Sequence, residues 1–209
     1  MMLHDFIEIY DNEQLADCAE IVSYFESVYD EASSRSSGLA FFNKGRQKVC
    51  ATKTLNFGND VPINGLVYGF IQNALHQYKK KFDYLNTLNE SSYWRLCPLY
   101  NIQRYNEGEG FFSLHNEQSG SYPYRLLAWM VYLNDATSGT EFPYQNMVVT
   151  PSAGRTVIWP AGWTHPHKGV TPNVGIKYIA TGWFYTLPKG EPKFDGHHPD
   201  EINIQEIVV

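Results

Sequence analysis

His115-Asn116-Glu117 and Thr164-His165-Pro166-His167 are the segments of this chain whose residue types and spacing could do chemistry. On a strand, residues i and i+2 face the same side, so His115 and Glu117 share a target while Asn116 points away. His165 and His167 share a face in the same way, on a second strand that opens at Thr164. Two imidazoles and one carboxylate, with coordination positions left open, make the facial triad that holds non-haem iron(II). The same donors also suit a catalytic zinc, and spacing alone leaves both open. Without a metal, each histidine is an ordinary hydrogen-bonded core or edge residue.

Lys177 adds a second observation. Between Val174 and Phe184 it is the one charge in an otherwise apolar strand, and it shares a face with Ile179, Thr181 and Trp183. If that face is interior, the ammonium needs an anionic partner, because an unpaired buried charge costs several kcal/mol. A dicarboxylic cosubstrate would supply one, whereas a zinc hydrolase has no evident use for it. The competing reading is a gatekeeper lysine on an edge strand.

The elements that must position these residues change character along the chain. Residues 1–90 read as mostly helical. Leu15, Ala19, Val22, Phe25 and Val28 recur at helical spacing behind Asp11 and Asn12 as caps, and a second pattern runs over 61–88 through Leu66, Phe70, Leu75, Tyr78 and Phe82. Between them, Ser33–Phe57 is rich in Gly, Ser and Lys and shows no clear element. After Ser91, β-rich runs at 99–105, 111–116, 125–133, 145–150, 156–159, 167–170 and 176–184 alternate with turn pairs such as Ser138-Gly139 and Thr171-Pro172. Such spacing predicts an α+β, mainly β chain: a jelly roll braced by N-terminal helices. We expect one domain over 1–209, with 1–90 as helical support and variable loop, 91–187 as the jelly-roll catalytic core, and 188–209 as a C-terminal tail.

Composition narrows the classes. At 209 residues and 43% hydrophobic, the chain can bury a core and does not read as disordered. Its longest apolar run, Leu126–Leu133, falls short of the roughly 20 residues of a membrane helix. A net charge of -6, with Lys79-Lys80-Lys81 as the basic run on a solvated helix face, argues against a nucleic-acid backbone as partner. The start, Met1-Met2-Leu3-His4-Asp5, has no basic region before an apolar stretch, so a soluble, cytoplasmic location is expected. Cys18, Cys50 and Cys97 are odd in number and far apart, which suggests reduced, buried thiols.

From Leu99 to Phe184 the sequence resembles the 2-oxoglutarate and iron(II)-dependent dioxygenases, specifically the prolyl-hydroxylase-like branch (collagen-type and oxygen-sensing prolyl hydroxylases). Tyr105 lies ten residues before His115, as a family Tyr precedes the first ligand His. The family's His-x-Asp looks like His115-Asn116-Glu117. Its Arg-x-x-Thr…Tyr-Leu-Asn strand is matched from Arg125 to Tyr132-Leu133-Asn134, with Ala128 in the Thr place, and its Gly-Gly-Glu-Thr-x-Phe turn loosely by Ser138 to Pro143. The distal part reads His167, then Lys177 ten residues on, then Trp183 after six more. In the family the basic residue follows the distal His by nine or ten positions, which favours His167 over His165 as the ligand. His165 is then a structural residue hydrogen-bonding at the pocket rim.

The resemblance implies a double-stranded β-helix of cupin-like form that hydroxylates a C–H bond, first of all in a prolyl residue of a peptide or protein, with succinate and CO2 as co-products. It implies iron(II) held by His115, Glu117 and His167, with 2-oxoglutarate and oxygen as cosubstrates and ascorbate as a candidate reductant. Lys177 would pair with the cosubstrate's 5-carboxylate, Tyr132 would hydrogen-bond the same group, Tyr105 would lie near the chelated end, and Trp183 would wall the pocket. Three departures stand out: Glu117 replaces Asp, Phe112 stands where a Tyr is usual, and Ala128 replaces Thr. Arg125 and Arg155 read as ordinary rim charges, and His197-His198 fits no ligand pattern. Candidate lids are Ser33–Phe57, with Lys44, Arg46 and Lys48 beside Phe41 and Phe42, and Ser119–Tyr124. The alternative is a cupin-like metal- or ligand-binding module without oxygenase turnover. A nucleic-acid demethylase of the same fold would want a basic groove that this chain lacks. Substrate identity, peptide or small molecule, and oligomeric state are not legible here.

Overall fold

The computed structural model describes residues 5–29, 47–88, 92–120 and 122–188. Its spine is β11 (Lys177–Pro188), paired antiparallel with β4 (Ser92–Tyr105) on one side and β6 (Arg125–Tyr132) on the other. With β1 (Glu8–Tyr10), β3 (Ala51–Asn56) and β9 (Thr156–Pro160) they form a six-stranded sheet of order β1-β9-β6-β11-β4-β3. Facing it lie β10 (Lys168–Gly169), β7 (Thr140–Phe142) and β8 (Met147–Val149) in one small sheet, and β2 (Lys48–Val49) with β5 (Gly110–Phe111) in another. This is the expected double-stranded β-helix, mainly β with few helices.

The apolar run at 126–133 is explained by the layers. Leu127, Trp129, Val131 and Leu133 pack outward against the helices, while Ala128, Met130 and Tyr132 point into the barrel. A strand covered on both faces reads as continuously apolar rather than alternating. β9 divides likewise, with Ile158 outward and Val157 and Trp159 inward. The helices α1 (Leu15–Val28) and α2 (Asn64–Lys81) supply the outer layer, through Ile21, Phe25, Val67, Phe70, Ile71 and Leu75.

Several expectations need correction. The buried stripe of α1 is Cys18, Ile21 and Phe25, while Leu15 and Val28 are exposed. Neither Asp11 nor Asn12 caps it, because Gln14 holds that position without a side-chain cap bond. Asp11 instead pairs with Arg155 at 2.6 and 2.9 Å, and the Asn12 amide donates to the Gly154 carbonyl, tying the N-terminal segment to the sheet. The second helix stops at Lys81 and is followed by a 3-10 turn over Asp83–Thr87. Lys81 is paired with Glu8, so the basic run is not wholly a solvated face. β4 reaches back to Ser92, beyond the expected start at Leu99, and β3 lies inside the segment read as structureless. Residues 33–46 of the candidate lid, including Phe41, Phe42, Lys44 and Arg46, and the tail with His197-His198 lie outside the described residues. Cys18, Cys50 and Cys97 are buried and unbridged by disulfides. Among the described residues, no helix is long and apolar enough to cross a membrane.

Candidate metal centre

His115 and His167 form an isolated antiparallel bridge, each backbone N–H donating to the other's carbonyl at 3.0 and 2.8 Å. Residues paired in this way stand opposite each other and project from the same face. Each ring is then oriented by a carbonyl two residues back: His115 Nδ1 lies 3.0 Å from Ser113 O, and His167 Nδ1 lies 3.1 Å from His165 O. A carbonyl only accepts, so Nδ1 carries the hydrogen in both rings and Nε2 is left with its lone pair. Packing reinforces the pose, with Phe111 stacked on His115 at 3.5 Å and Trp159 edge-on to His167 at 5.1 Å.

Both Nε2 atoms face Glu117. Oε1 lies 3.2 Å from His167 Nε2 and 3.7 Å from His115 Nε2. Glu117 is in a bend rather than on the expected strand, and its position comes from its backbone N–H donating to Ala161 O at 3.1 Å. Burial alone would raise the Glu117 carboxyl. With a proton on each Nε2 as well, the charged His115 and His167 rings hold it well below the usual carboxylate range against that effect; in the neutral tautomer that support is gone. Unprotonated nitrogens directed at a carboxylate oxygen repel it unless a cation lies between them. Donors bonded at about 2.1 Å to one ion stand roughly 3.0 Å apart at right angles and 3.4 Å apart tetrahedrally. The 3.2 Å separation falls between those values and the 3.7 Å separation exceeds the larger by about 0.3 Å, so a slight closing of the cluster lets the three donors hold a divalent metal. Among the described residues this is the one group of His, Cys, Asp and Glu donors placed to hold such an ion.

His165 is not brought to this cluster. Its Nε2 lies 2.6 Å from Asp5 O and its Nδ1 2.9 Å from Thr164 Oγ1, so both nitrogens are engaged elsewhere. It sits in a bend before Pro166, not on a strand with His167, and is buried beneath the N-terminal segment rather than at a pocket rim.

A cavity of about 380 Å³ opens beside the cluster and includes Lys177, Tyr105, Tyr132 and Trp183 among its walls. Lys177 is 2% exposed. Its Nζ donates to Val170 O at 3.1 Å and lies 5.0 Å from the Tyr105 ring, with no carboxylate partner among the described residues. β11 is paired on both sides, so the gatekeeper reading, which needs an edge strand, does not apply. Burial pushes the Lys177 ammonium down to about 8. Tyr105 donates to Gln103 Oε1 at 2.6 Å, and Tyr132 to Thr140 Oγ1 at 2.8 Å. Burial raises both phenols, so each stays neutral and able to donate.

Arg125, expected as an ordinary rim charge, belongs to the cavity. Its guanidinium lies 3.5 Å above the Trp183 ring and 3.9 Å from the Tyr122 ring, and donates to the Glu117 carbonyl at 3.2 Å. Trp183 Nε1 in turn donates to Glu117 Oε2 at 2.7 Å. No local sequence signal marks this role, because Trp183 lies on a distant strand. Arg155 lies away from the cavity, bound to Asp11 and to Thr150. Lys48, a described cation of the first candidate lid, lines the cavity with its Nζ 5.1 Å from the Phe111 ring.

Residues 100–185 match the family model described as the 2OG-Fe(II) oxygenase superfamily. No curated protein matches the chain significantly in sequence. Among solved structures it is similar to a viral collagen prolyl hydroxylase of Paramecium Bursaria Chlorella virus-1, at 15% identity and TM-score 0.62, over 88% of this chain and 97% of that one. It is also similar to a Pseudomonas putida prolyl-4-hydroxylase, at 14% identity and TM-score 0.64, over 87% and 94%. A third is a Trichoplax adhaerens prolyl hydroxylase in complex with a hypoxia inducible factor peptide fragment, at 16% identity and TM-score 0.62, over 87% and 84%. At such identities these likenesses establish a shared fold.

Proposed function

We propose that the chain, whose residues 100–185 match the family model of the 2OG-Fe(II) oxygenase superfamily and whose fold is similar to that of prolyl hydroxylases, is a dioxygenase that hydroxylates a C–H bond of a prolyl residue in a peptide or protein. Succinate and CO2 are the co-products. His115, Glu117 and His167 are the residues that hold the iron. When bound, iron(II) activates oxygen and drives oxidative decarboxylation of 2-oxoglutarate, chemistry that belongs to the metal and its cosubstrate.

The protein's own groups set the stage. The Nδ1–H bonds of His115 and His167 hold the imidazoles in the metal-binding tautomer. Lys177 receives the distal carboxylate of 2-oxoglutarate, replacing a weak carbonyl contact with an ion pair inside the barrel. Tyr132 can turn its hydroxyl from Thr140 to the same carboxylate, and Tyr105, held by Gln103, closes the other wall. Trp159, Ile179 and Met130 keep the cavity apolar and limit water. The single observation that carries this reading is that one cavity joins a two-histidine, one-carboxylate cluster to a buried lysine with no carboxylate partner among the described residues. Peptide as substrate is supported by the Trichoplax relative, which holds one.

The test is succinate release from 2-oxoglutarate with iron(II), oxygen and ascorbate, run with a panel of prolyl peptides, other peptides and small metabolites scored for the mass of one added oxygen. A prolyl peptide that gains the oxygen and raises succinate release supports the proposal. Metal binding with no succinate release under any condition overturns it in favour of a cupin-like binding module.

A further inference from the structure

We infer that Trp183 is a positioning residue that fixes Glu117 as a one-oxygen metal ligand, and so makes a glutamate serviceable in this centre; the inference rests on the metal-centre reading above. A glutamate has one more rotatable bond than an aspartate, and left alone its carboxylate can offer both oxygens or swing out of the cluster. Here Oε2 is committed. It accepts the Trp183 indole N–H at 2.7 Å, with Arg125 more distant at 3.4 Å. That leaves Oε1 to face both imidazole Nε2 atoms.

The indole can hold this post because it is itself held. An indole N–H donates and cannot accept, so the carboxylate is a partner it cannot exchange for a donor. The Arg125 guanidinium lies over the ring at 3.5 Å and over the Tyr122 ring at 3.9 Å. The backbone of Trp183 pairs with Ala128, whose small side chain shares its sheet face and leaves room for the ring. On the other edge the ladder with β4 is interrupted: Gly182 pairs with Tyr100 and Phe184 with Leu96, so Cys97, Pro98 and Leu99 stand opposite Trp183 alone. Irregularities of this kind re-aim a side chain beside an active site. The extra methylene of Glu117 and the indole of Trp183 thus form one unit.

The experiment compares wild type with Trp183→Phe, which keeps a ring for Arg125 and deletes the N–H. Manganese(II) affinity is titrated on the metal-free protein, the visible spectrum of bound cobalt(II) is recorded, and metal-free melting is followed as the control for folding. Trp183→Phe should weaken manganese(II) roughly ten- to hundredfold, as loss of a hydrogen bond to a ligand does. It should also alter the cobalt(II) spectrum, because the freed Oε2 changes the ligand field, while the metal-free melting temperature stays near wild type. A second readout is the ¹⁵N-indole spectrum: the one of the five tryptophan signals that is missing in Trp183→Phe should keep a slowly exchanging N–H in wild type on saturation with zinc(II). Unchanged affinity and spectrum in Trp183→Phe, or fast exchange of that indole in the zinc form, overturns the inference alone. A wild type that binds none of these metals overturns the metal-centre reading beneath it.

Discussion

The backbone carbonyl of His165 accepts the Nδ1–H of His167 at 3.1 Å, so one histidine orients the other without entering the cluster. His165 can do this because its own ring is anchored on Asp5 O and Thr164 Oγ1, which holds the turn before Pro166 in place. Pro166 disfavours a helical backbone at His165, and the chain passes into β10 one residue after the ligand.

His167→Ala should abolish tight manganese(II) or iron(II) binding, whereas His165→Ala should keep it. The His165 variant leaves the Asp5 carbonyl without its partner and should lose about 1–3 kcal/mol of stability. Metal titration alongside thermal melting separates the two. Metal binding lost in His165→Ala but kept in His167→Ala would reverse the assignment.

Lys177→Met should weaken 2-oxoglutarate by about 10²- to 10³-fold, the effect of removing one partner of a buried ion pair. Metal affinity should be little changed. The ligand-free protein should melt higher, because a buried ammonium held only by Val170 O is replaced by an apolar chain of similar length. Calorimetric titration and melting curves check both halves.

The lysine also sets a pH window. Burial depresses it to about 8 in the free protein, and an incoming carboxylate raises it again. Binding therefore takes up a proton above pH 8 and none below. Affinity for 2-oxoglutarate should be flat below about 8 and then fall by up to about tenfold per pH unit. Tyr105 and Tyr132 are raised by burial and stay neutral in this window. Lys177→Arg, charged throughout, should remove the decline; a decline of equal size in that variant would place its origin elsewhere.

Much of the barrel was legible because its central strands carry both signals at once. The run at 126–133 and the lone charge at Lys177 mark two-sided burial and an interior ammonium, and both are local patterns. What escaped was set by distance in sequence. β1 and β3 gain their identity from β9 and β4, far along the chain. The near half of β4 was hidden behind Pro98, which breaks the ladder without ending the strand. Glu117 reaches the histidines from a bend anchored by Ala161, so strand alternation pointed at it for an incomplete reason. The role of Arg125 depends on the Tyr122 and Trp183 rings meeting at its guanidinium, which no window of sequence contains.

Gly139→Ala tests the small sheet beneath the site. A Cβ there would run into the Val149 carbonyl, a backbone atom that β7 and β8 hold in place, and Gly139 O also accepts from Val170 N at 2.9 Å. Overpacking of this kind costs about 1–3 kcal/mol. The melting temperature should fall, and metal affinity with it, because β10 leads directly from His167. Wild-type melting and affinity together would show that the sheet yields without cost.

The mutual backbone bonds of His115 and His167 bear on when the site comes into being during folding. The two residues meet through the main chain across a long stretch of sequence, and the entropy of closing that loop must be met before either imidazole finds the other. The donor set therefore exists only once that long-range closure is made, and an unfolded chain has no such site to offer. A metal bound by these donors would act on the native state alone, adding about 2.7 kcal/mol at a hundredfold excess over its dissociation constant.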